Sequence, residues 1–255
     1  MKQYKAVIKV MEKNGGYSTL GDLYKKVLQV PGVTWKTKTP FASIRRIVQD
    51  ERFFFKIKPG LWALKAYKDK LPPDILSLIK EDKQVKEGGM FTHSFYQGMI
   101  LEIGNLKGFK TYIPPQDHNK KFLNKTLKEI VDLKTIYKFT YDNLIQKIKS
   151  IDVIWFNERK FPSSVFEIEH TTNFKNSLLK FLELQDFNLK MYIVSSVARK
   201  KEFQNKIDYT GFDVIKNHVN FLDYEYISQW HSKSSELALI ESKIMGASKW
   251  GTIYS

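Results

Sequence analysis

The chain has 255 residues, of which 42% are hydrophobic and 14% aromatic, enough to build one large core or two modest ones. It contains no cysteine, which excludes disulfides, thiolate zinc sites and cysteine nucleophiles. Its first residues interleave lysine with apolar residues, and no apolar run approaches the roughly 18 residues that cross a bilayer. We therefore expect a cytoplasmic protein without membrane contact.

The formal net charge of +15 is unevenly distributed along the chain. Residues 1–70 contain 16 Lys and Arg against 5 Asp and Glu, whereas residues 71–255 contain 26 against 22. A basic segment joined to a more balanced body is typical of a polyanion-binding module attached to a second domain. Simple solubility charge is the plainer interpretation, but the arginines fall in a helix suited to reading DNA.

The N-terminal segment predicts three helices and a hairpin. The first helix covers residues 4–14, and Ser18 or Thr19 can cap the second. The third begins at Pro40, since proline is tolerated in the first turn of a helix. Two strands then surround a turn at Pro59-Gly60. This order is typical of a winged helix, whose third helix enters the major groove.

Residues 38–64, KTPFASIRRIVQDERFFFKIKPGLWAL, resemble the HARE-type winged helix of bacterial DNA-modifying and restriction proteins, including its Pro-Gly hairpin followed by an aromatic residue and a leucine. The resemblance implies a DNA-binding domain over residues 1–67. It also implies a set of DNA contacts on the third helix and the wing. These candidates are Lys38, Ser43, Arg45, Arg46, Lys56 and Lys58. Winged helices also bind proteins, and a solvated basic face is the alternative.

Residues 68–90 begin with two prolines, end with two glycines and hold one polar helix, which predicts a linker. The second domain then covers residues 91–255. It reads as a helix from His93, a lysine-rich and mostly helical stretch over residues 117–150, a hairpin, and further helices alternating with strands. We expect an α+β chain whose second domain is an α/β core around a central mixed sheet.

The segment VFEIEHTT, residues 165–172, places Glu167 and Glu169 on one face of a predicted strand. If the preceding strand folds back around a turn near Lys160, Asp152 lies opposite about residue 168 and beside both glutamates. Clustered carboxylates repel one another unless a cation neutralises them, and hard divalent ions bind oxygen ligands. The sequence therefore predicts a metal site. A polar face on an exposed strand is the alternative, although the apolar neighbours favour burial.

Strand-Asp, turn, strand-Glu-x-Glu after a helix resembles the PD-(D/E)XK nuclease superfamily in the form where glutamate replaces the usual lysine. The resemblance implies that Asp152, Glu167 and the backbone carbonyl of Ile168 bind Mg²⁺, for which Mn²⁺ substitutes, and that Glu169 acts as general base or second-metal ligand. Glu102 matches the helix glutamate that often completes such sites, or it is an ordinary exposed residue. The implied activity is a type II-like restriction endodeoxyribonuclease, which hydrolyses phosphodiester bonds of double-stranded DNA.

Several neighbours are possible accessory residues. His93 and Gln97 lie on the same predicted helix and can approach a substrate. His170 lies on the opposite strand face, where a packed or capping histidine is the plainer interpretation. Arg199 and Lys200 begin a basic helix that either contacts the DNA backbone or is solvated.

Other classes of function lack their motifs. The chain has no GxxxxGK[ST] and no GxGxxG, so we expect no nucleotide cofactor. Double-strand cleavage predicts a homodimer as its simplest route. Sensitivity to base modification, or dependence on it, fits the winged-helix resemblance. The alternative function is a DNA-binding regulator or recruiting module whose nuclease fold does not cut, but the three intact carboxylates favour the enzyme.

Overall fold

The computed structural model describes residues 1–80, 88–171 and 173–245. Contacts divide the chain into two compact units. The first unit takes in Met1–Asp82 and the C-terminal part from Ser228, and the second unit takes in Lys83–Ile227. In the described residues, none of the helices is long and apolar enough to cross a membrane.

The first unit contains the three predicted helices and the hairpin, together with one further short strand. Its elements are α1 (Gln3–Lys13), β1 (Tyr17–Thr19), α2 (Leu20–Val27), α3 (Pro40–Ile47), β2 (Phe54–Lys58), β3 (Leu61–Leu64) and α4 (Pro73–Lys80). The antiparallel sheet has the order β1-β3-β2. Thr19 caps α2, because its hydroxyl accepts a hydrogen bond from the backbone N–H of Asp22 at 3.3 Å.

The described part of the predicted linker is more than a connection. Within residues 68–80, α4 forms, and its Ile75 and Leu78 are buried, as is Leu71 just before it. Apolar side chains removed from water stabilise the element that carries them, so α4 belongs to the first unit. Residues 81–87 of the predicted linker lie outside the described residues.

The second unit is built around a five-stranded sheet. Its elements are α5 (Gly88–Leu106), β4 (Lys110–Tyr112), β5 (Lys121–Phe122), β6 (Lys125–Thr126), α6 (Asp142–Ile148), β7 (Val153–Phe156), β8 (Pro162–Ile168), α7 (Phe174–Leu182), β9 (Lys190–Ser195), α8 (Lys200–Ile207), β10 (Val219–Asp223) and the start of α9 (Tyr224–Met245). The strand order is β10-β9-β8-β7-β4. Strands β8, β9 and β10 are parallel, whereas β7 is antiparallel to both β8 and β4. The predicted central mixed sheet is confirmed.

The hairpin of β7 and β8 has a register that differs by one residue from the predicted one. Val153 lies opposite Phe166, and the register shifts between Trp155 and Phe156. An extra residue in one strand moves every later pair by one position. Continued beyond Val153, this register places Asp152 opposite Glu167 and next to residue 168.

The prediction of a mostly helical stretch over residues 117–150 is wrong. The stretch contains the last residue of one 3₁₀ turn (Pro115–Asp117), the small β5–β6 ladder, a second 3₁₀ turn (Leu127–Glu129), extended segments and one α-helix, α6. Thr126 and Glu129 form a capping box around one of the 3₁₀ turns. Frequent lysines favour helix by intrinsic propensity, but these local capping and ladder interactions override that weak preference.

Candidate active site

Three carboxylates converge where β7 begins and β8 ends. Asp152 directly precedes β7, Glu167 lies in β8 and Glu169 follows that strand. The backbone N–H of Ile168 donates to Asp152 Oδ2 at 2.7 Å, and the backbone N–H of Asp152 donates to Glu167 Oε1 at 3.3 Å. Glu167 and Glu169 are buried, with 2% and 6% of their surface exposed. The structure thus brings together the three acids that the strand alternation and the predicted hairpin placed side by side.

Helix α7 contributes a hydroxyl and an ammonium group to the same cluster. The Ser177 hydroxyl lies 2.9 Å from Glu167 Oε2 and also contacts Glu169 Oε1. Lys180 donates to both oxygens of Glu167, at 2.8 and 2.9 Å, and to the carbonyl of Ser150 at 3.0 Å. Residues three apart share a helix face, so α7 presents both groups to the end of β8.

The three carboxyl groups hold their protons more tightly than usual. Burial raises the pKa of Asp152 to about 7, opposed by the hydrogen bond from Ile168 and the charge of Lys180. Burial, and then the charge of Asp152, raises the pKa of Glu167 to about 7. Burial likewise raises the pKa of Glu169 to about 7, against the hydrogen bond with Ser177. The cluster therefore has fewer cations than its negative charge requires.

The contacts of Ser177 agree with a shared proton. A serine hydroxyl has one hydrogen, so it can donate to only one of two carboxylates. Its oxygen touches both Glu167 and Glu169. The second contact therefore requires a proton on one carboxyl group, or a cation that takes its place.

A second group of side chains approaches Asp152 from α5. His93 Nδ1 lies 3.1 Å from the carbonyl oxygen of Ile168, and His93 Nε2 lies 3.6 Å from Asp152 Oδ1. Gln97 Nε2 donates to Asp117 Oδ2 at 2.9 Å and to the carbonyl of Asp152 at 2.8 Å. One ligand atom from each of His93, Asp117 and Asp152 lies within 4.8 Å of the other two. The predicted accessory residues His93 and Gln97 thus lie beside the carboxylates.

The charges around this second group are partly compensated. Asp117 is 3% exposed and pairs with Lys120 Nζ at 2.6 Å. Burial, and then the charge of Lys120, lowers the pKa of His93. A neutral imidazole at neutral pH keeps a lone pair on one of its nitrogens, which is the form that binds metals.

Two further predicted site residues are Ile168 and Glu102. The carbonyl of Ile168, a predicted metal ligand, faces His93 Nδ1. Glu102 lies on α5 nine residues beyond His93. Nine residues are about two and a half helical turns, so Glu102 leaves the helix on the opposite side, about 13 Å further along the axis. Glu102 is thus separated from His93 along the helix, and its part in the site stays a prediction.

The remaining accessory candidates lie around the cluster with other partners. His170 Nδ1 is 3.3 Å from the hydroxyl of Tyr224. Arg199 donates to the backbone carbonyl of Glu169 at 3.1 Å and forms an ion pair with Glu202 at 2.9 Å. Lys200 is exposed. Arg199 therefore fixes the backbone of the site, whereas Lys200 faces solvent.

Some predicted DNA contacts of the first unit form hydrogen bonds within that unit, and others are exposed to solvent. Arg45 Nη1 donates to the hydroxyl of Tyr24 at 2.9 Å and to Glu236 Oε2 at 2.8 Å. Its guanidinium is thus part of the internal packing of the unit. Ser43 is half-buried, and its hydroxyl lies 3.5 Å from the carbonyl of Thr39. The exposed candidates are Lys38, Arg46 and Lys56, and Lys58 is half-buried.

Ser177 and Lys180 are the site residues that sequence reasoning missed. The available signal was Ser177 itself, a polar residue among the buried Phe174, Leu178 and Phe181 of α7. A hydroxyl in an apolar helix stripe requires a hydrogen-bond partner on the element against which it packs. Here that element is β8.

Comparison with known proteins gives the family. The family model described as the type II restriction enzyme NmeDI C-terminal domain matches residues 70–246, a span that includes all the carboxylates described above together with His93 and Lys180. The chain belongs to this family. The type II restriction enzyme NmeDI of Neisseria meningitidis serogroup C is 28% identical over 121 residues, covering 44% of this chain and 34% of that enzyme. The chain thus matches about a third of the length of this relative. No solved structure gives a significant match.

Proposed function

We propose that this member of the NmeDI C-terminal domain family is a divalent-metal-dependent DNA endonuclease of the PD-(D/E)XK type in its Glu-x-Glu form. The observation that carries the proposal is the convergence of half-buried Asp152 with buried Glu167 and Glu169 in a protein with a net charge of +15. Burying like charges together is unfavourable, so an arrangement of this kind points to a cation that binds them.

The residues present fit such a cation. Their donor atoms are carboxylate oxygens, which Mg²⁺ prefers, and Mn²⁺ accepts the same ligands. Asp152 and Glu167 are the proposed ligands, with the Ile168 carbonyl as the resemblance implies. When bound, the ion polarises the scissile phosphate and lowers the pKa of an attacking water.

The chain's own residues then have distinct tasks. Lys180 sits on both oxygens of Glu167, where its positive charge favours the ionised carboxylate and attracts a phosphate. Glu169 has a pKa of about 7, so near neutral pH it can accept a proton from the attacking water. Ser177 orients both glutamates from α7.

For DNA recognition we propose the first unit, as a winged helix of the HARE type. The order α1-β1-α2-α3-β2-β3 and the antiparallel β2–β3 hairpin support this proposal. Arg46 on α3 and Lys56 on the hairpin are exposed and suitable for phosphate contact. Sequence-specific cleavage of double-stranded DNA by a homodimer, with sensitivity to or dependence on base modification, completes the proposal.

Plasmid cleavage tests the proposed function. Supercoiled plasmid, in unmethylated and in defined methylated forms, is incubated with the chain in Mg²⁺, in Mn²⁺ and in EDTA. We expect nicked or linear product with either metal and none in EDTA. If no metal-dependent cutting occurs on any of these substrates while DNA is still bound, the non-catalytic regulator is the correct interpretation.

A further inference from the structure

We propose that His93, Asp117 and Asp152 form a second cation site, which prefers a transition-metal ion such as Mn²⁺ or Co²⁺ to Mg²⁺. The three residues come from α5, from the 3₁₀ turn after β4 and from the start of β7. The inference deepens the proposed function, since it assigns a second ion to the same active site through the shared Asp152.

The geometry of His93 is the first argument. A backbone carbonyl can only accept a hydrogen bond, so the contact between Nδ1 and the carbonyl of Ile168 at 3.1 Å requires the proton on Nδ1. In the neutral ring Nε2 then carries a lone pair, and this lone pair faces Asp152 Oδ1 at 3.6 Å. Two electron-rich atoms facing each other require a positive charge between them or a proton on one of them.

The separation of these two atoms suits a shared metal ion. At 3.6 Å, His93 Nε2 and Asp152 Oδ1 are too far apart for a hydrogen bond. Two ligands placed tetrahedrally at about 2.1 Å from one ion lie about 3.4 Å apart. A histidine that donates its other ring N–H to a backbone carbonyl is also the usual arrangement of a metal-binding histidine.

Gln97 provides an independent second observation. Its side chain is fully buried, and within the described part of the chain Oε1 accepts no hydrogen bond. The same carboxamide donates through Nε2 to Asp117 and to the carbonyl of Asp152. A buried carbonyl oxygen without a donor is costly, and here it lies on a group held against two of the three ligands. A cation, or a water bound to one, would satisfy it.

The site is accessible, and its present counter-ion can leave. The side chains of His93 and Asp152 retain 22% and 15% exposure. Asp117 is neutralised by Lys120, whose side chain is 30% exposed on a flexible stem. A divalent ion that enters the cluster can replace that ammonium group without leaving Asp117 unpaired.

The donor set distinguishes this site from the proposed Mg²⁺ position. One imidazole nitrogen with two carboxylates suits Mn²⁺, Co²⁺ or Zn²⁺, whereas Mg²⁺ prefers oxygen ligands alone. The ligands Asp152 and Glu167 on the other side offer only oxygen. Asp152 would therefore be shared by two metal positions, one with only oxygen ligands and one that includes His93. Two ions that share a ligand and flank one phosphate are common in phosphoryl-transfer enzymes.

Metal titration of the full chain tests the second site. Mn²⁺, Co²⁺ and Mg²⁺ binding is measured by isothermal titration calorimetry, and Co²⁺ binding also by its visible absorption. The variants are His93→Gln and Asp117→Asn, and the control is His218→Gln, which changes an exposed histidine of the same unit. We expect His93→Gln and Asp117→Asn each to weaken one Mn²⁺ and Co²⁺ site at least roughly tenfold, and the control to match wild type.

The spectroscopic readout separates ligation from a general structural effect. Loss of a nitrogen ligand in His93→Gln changes the position and intensity of the Co²⁺ absorption bands, whereas Mg²⁺ binding at Asp152 and Glu167 stays within about twofold. Circular dichroism and thermal unfolding confirm that each variant is folded. If His93→Gln is unfolded, the same titrations are carried out with Asp117→Asn, whose side chain has nearly the shape of aspartate.

The outcomes separate this inference from the proposed function. If both variants are folded and bind Mn²⁺ and Co²⁺ with wild-type affinity, the second site is wrong. Mg²⁺-dependent plasmid cleavage would in that case still support the nuclease. Loss of a Co²⁺ site in both variants, without metal-dependent cleavage by the wild-type chain, would support the site and overturn the nuclease.

Discussion

Glu167 has several hydrogen-bond partners in the cluster. It accepts hydrogen bonds from the backbone of Asp152, from Lys180 and from the Ser177 hydroxyl. Because burial and the charge of Asp152 raise the pKa of Glu167 to about 7, this carboxyl group either keeps a proton near neutral pH or needs a cation beside it. Which of the two states prevails depends on pH.

Replacement of Glu167 by glutamine is the most direct test of a catalytic role. Glu167→Gln keeps the side-chain shape and removes the charge, so we expect plasmid cleavage in Mg²⁺ to fall at least roughly 100-fold. DNA affinity should stay the same or increase, because one carboxylate fewer repels phosphate. Cleavage is followed on gels and affinity by fluorescence anisotropy. Glu158→Gln, on an exposed turn, is the control, and undiminished cutting by Glu167→Gln would show that the site is misplaced.

Replacement of Lys180 tests whether its positive charge offsets the negative charge of the carboxylates. Its positive charge opposes the rise in the pKa of Glu167. Burial alone would lower the pKa of Lys180, but the charge of Glu167, its hydrogen bond and the charge of Asp152 outweigh burial and leave that pKa above its ordinary value. In Lys180→Met we expect the acidic limb of the pH–rate profile to move to higher pH, with reduced cleavage at pH 7. The profile is measured from pH 5.5 to 9 beside Lys175→Met, an exposed lysine on the same helix. Coinciding profiles for the two variants would contradict this role.

At the residue scale, the sequence predicted the acids and missed their partners. The period of two along a strand was sufficient to place Glu167 and Glu169 on one face. Ser177 and Lys180 reach that face from α7, and the rotation of a helix against a strand depends on packing that local pattern does not encode. Glu102 lies on a correctly predicted helix, and its role in the site stays a prediction.

Helix α3 shows how two adjacent arginines can take different roles. Arg45 lies between Tyr24 and Glu236, while Arg46 is exposed. Consecutive helix positions point about 100° apart, so one side chain can face the interior of the unit and the other solvent. The sequence predicted the helix and its basic character, and the fold decides which arginine is exposed to solvent.

Alanine at Arg45 should therefore change stability, whereas alanine at Arg46 should change DNA binding. Arg45→Ala should lower the free energy of unfolding by about 1–2 kcal/mol, because it removes two hydrogen bonds of a partly exposed guanidinium. Arg46→Ala should leave stability nearly unchanged, weaken DNA binding and reduce the slope of log affinity against log salt by about 1. Urea unfolding and anisotropy at several salt concentrations measure both effects. If both variants had the same salt slope as wild type, α3 would not contact the duplex.

Element prediction succeeded where apolar periodicity was strong and failed where it was weak. Strands β7, β8 and β9 are mostly buried and rich in apolar residues, and the sequence predicted the β7–β8 hairpin and the strands that follow it. Residues 117–150 have scattered apolar positions and many lysines, so propensity suggested helix where capping and a small ladder prevail. The bulge that shifts the β7–β8 register was likewise invisible, because one extra residue leaves the alternation intact on either side.

On the scale of the whole molecule, the net charge and the site have opposite signs. The chain carries +15, yet Asp117, Asp152, Glu167 and Glu169 lie together in the second unit. In the proposed function, the positive surface attracts DNA at long range, and the acidic site accepts a phosphate only when a cation is bound there. This division makes the stability of the metal-free protein depend on pH in an unusual direction.

The metal-free protein should become less stable as pH rises from about 4.5 to about 7. Asp152, Glu167 and Glu169 have a pKa of about 7 in the folded state, above ordinary values of 3.8 for Asp and 4.5 for Glu. Between those values the folded chain keeps protons that the unfolded chain releases, so stability falls as pH increases. The lowered pKa of His93 acts in the opposite sense below 6.5, but it is one group against three.

Divalent metal should reverse this trend, because only the deprotonated carboxylates bind it and binding releases protons. Urea unfolding at pH 5, 6, 7 and 8 is compared in EDTA, in Mg²⁺ and in Mn²⁺, with Glu167→Gln as the variant in which the fall in EDTA becomes shallower. We expect the stabilisation by metal to be small at pH 5 and largest at pH 8. A metal-free protein that gains stability steadily up to pH 8, with no added effect of metal, would show that the three acids are ionised without a cation and that they do not form its binding site.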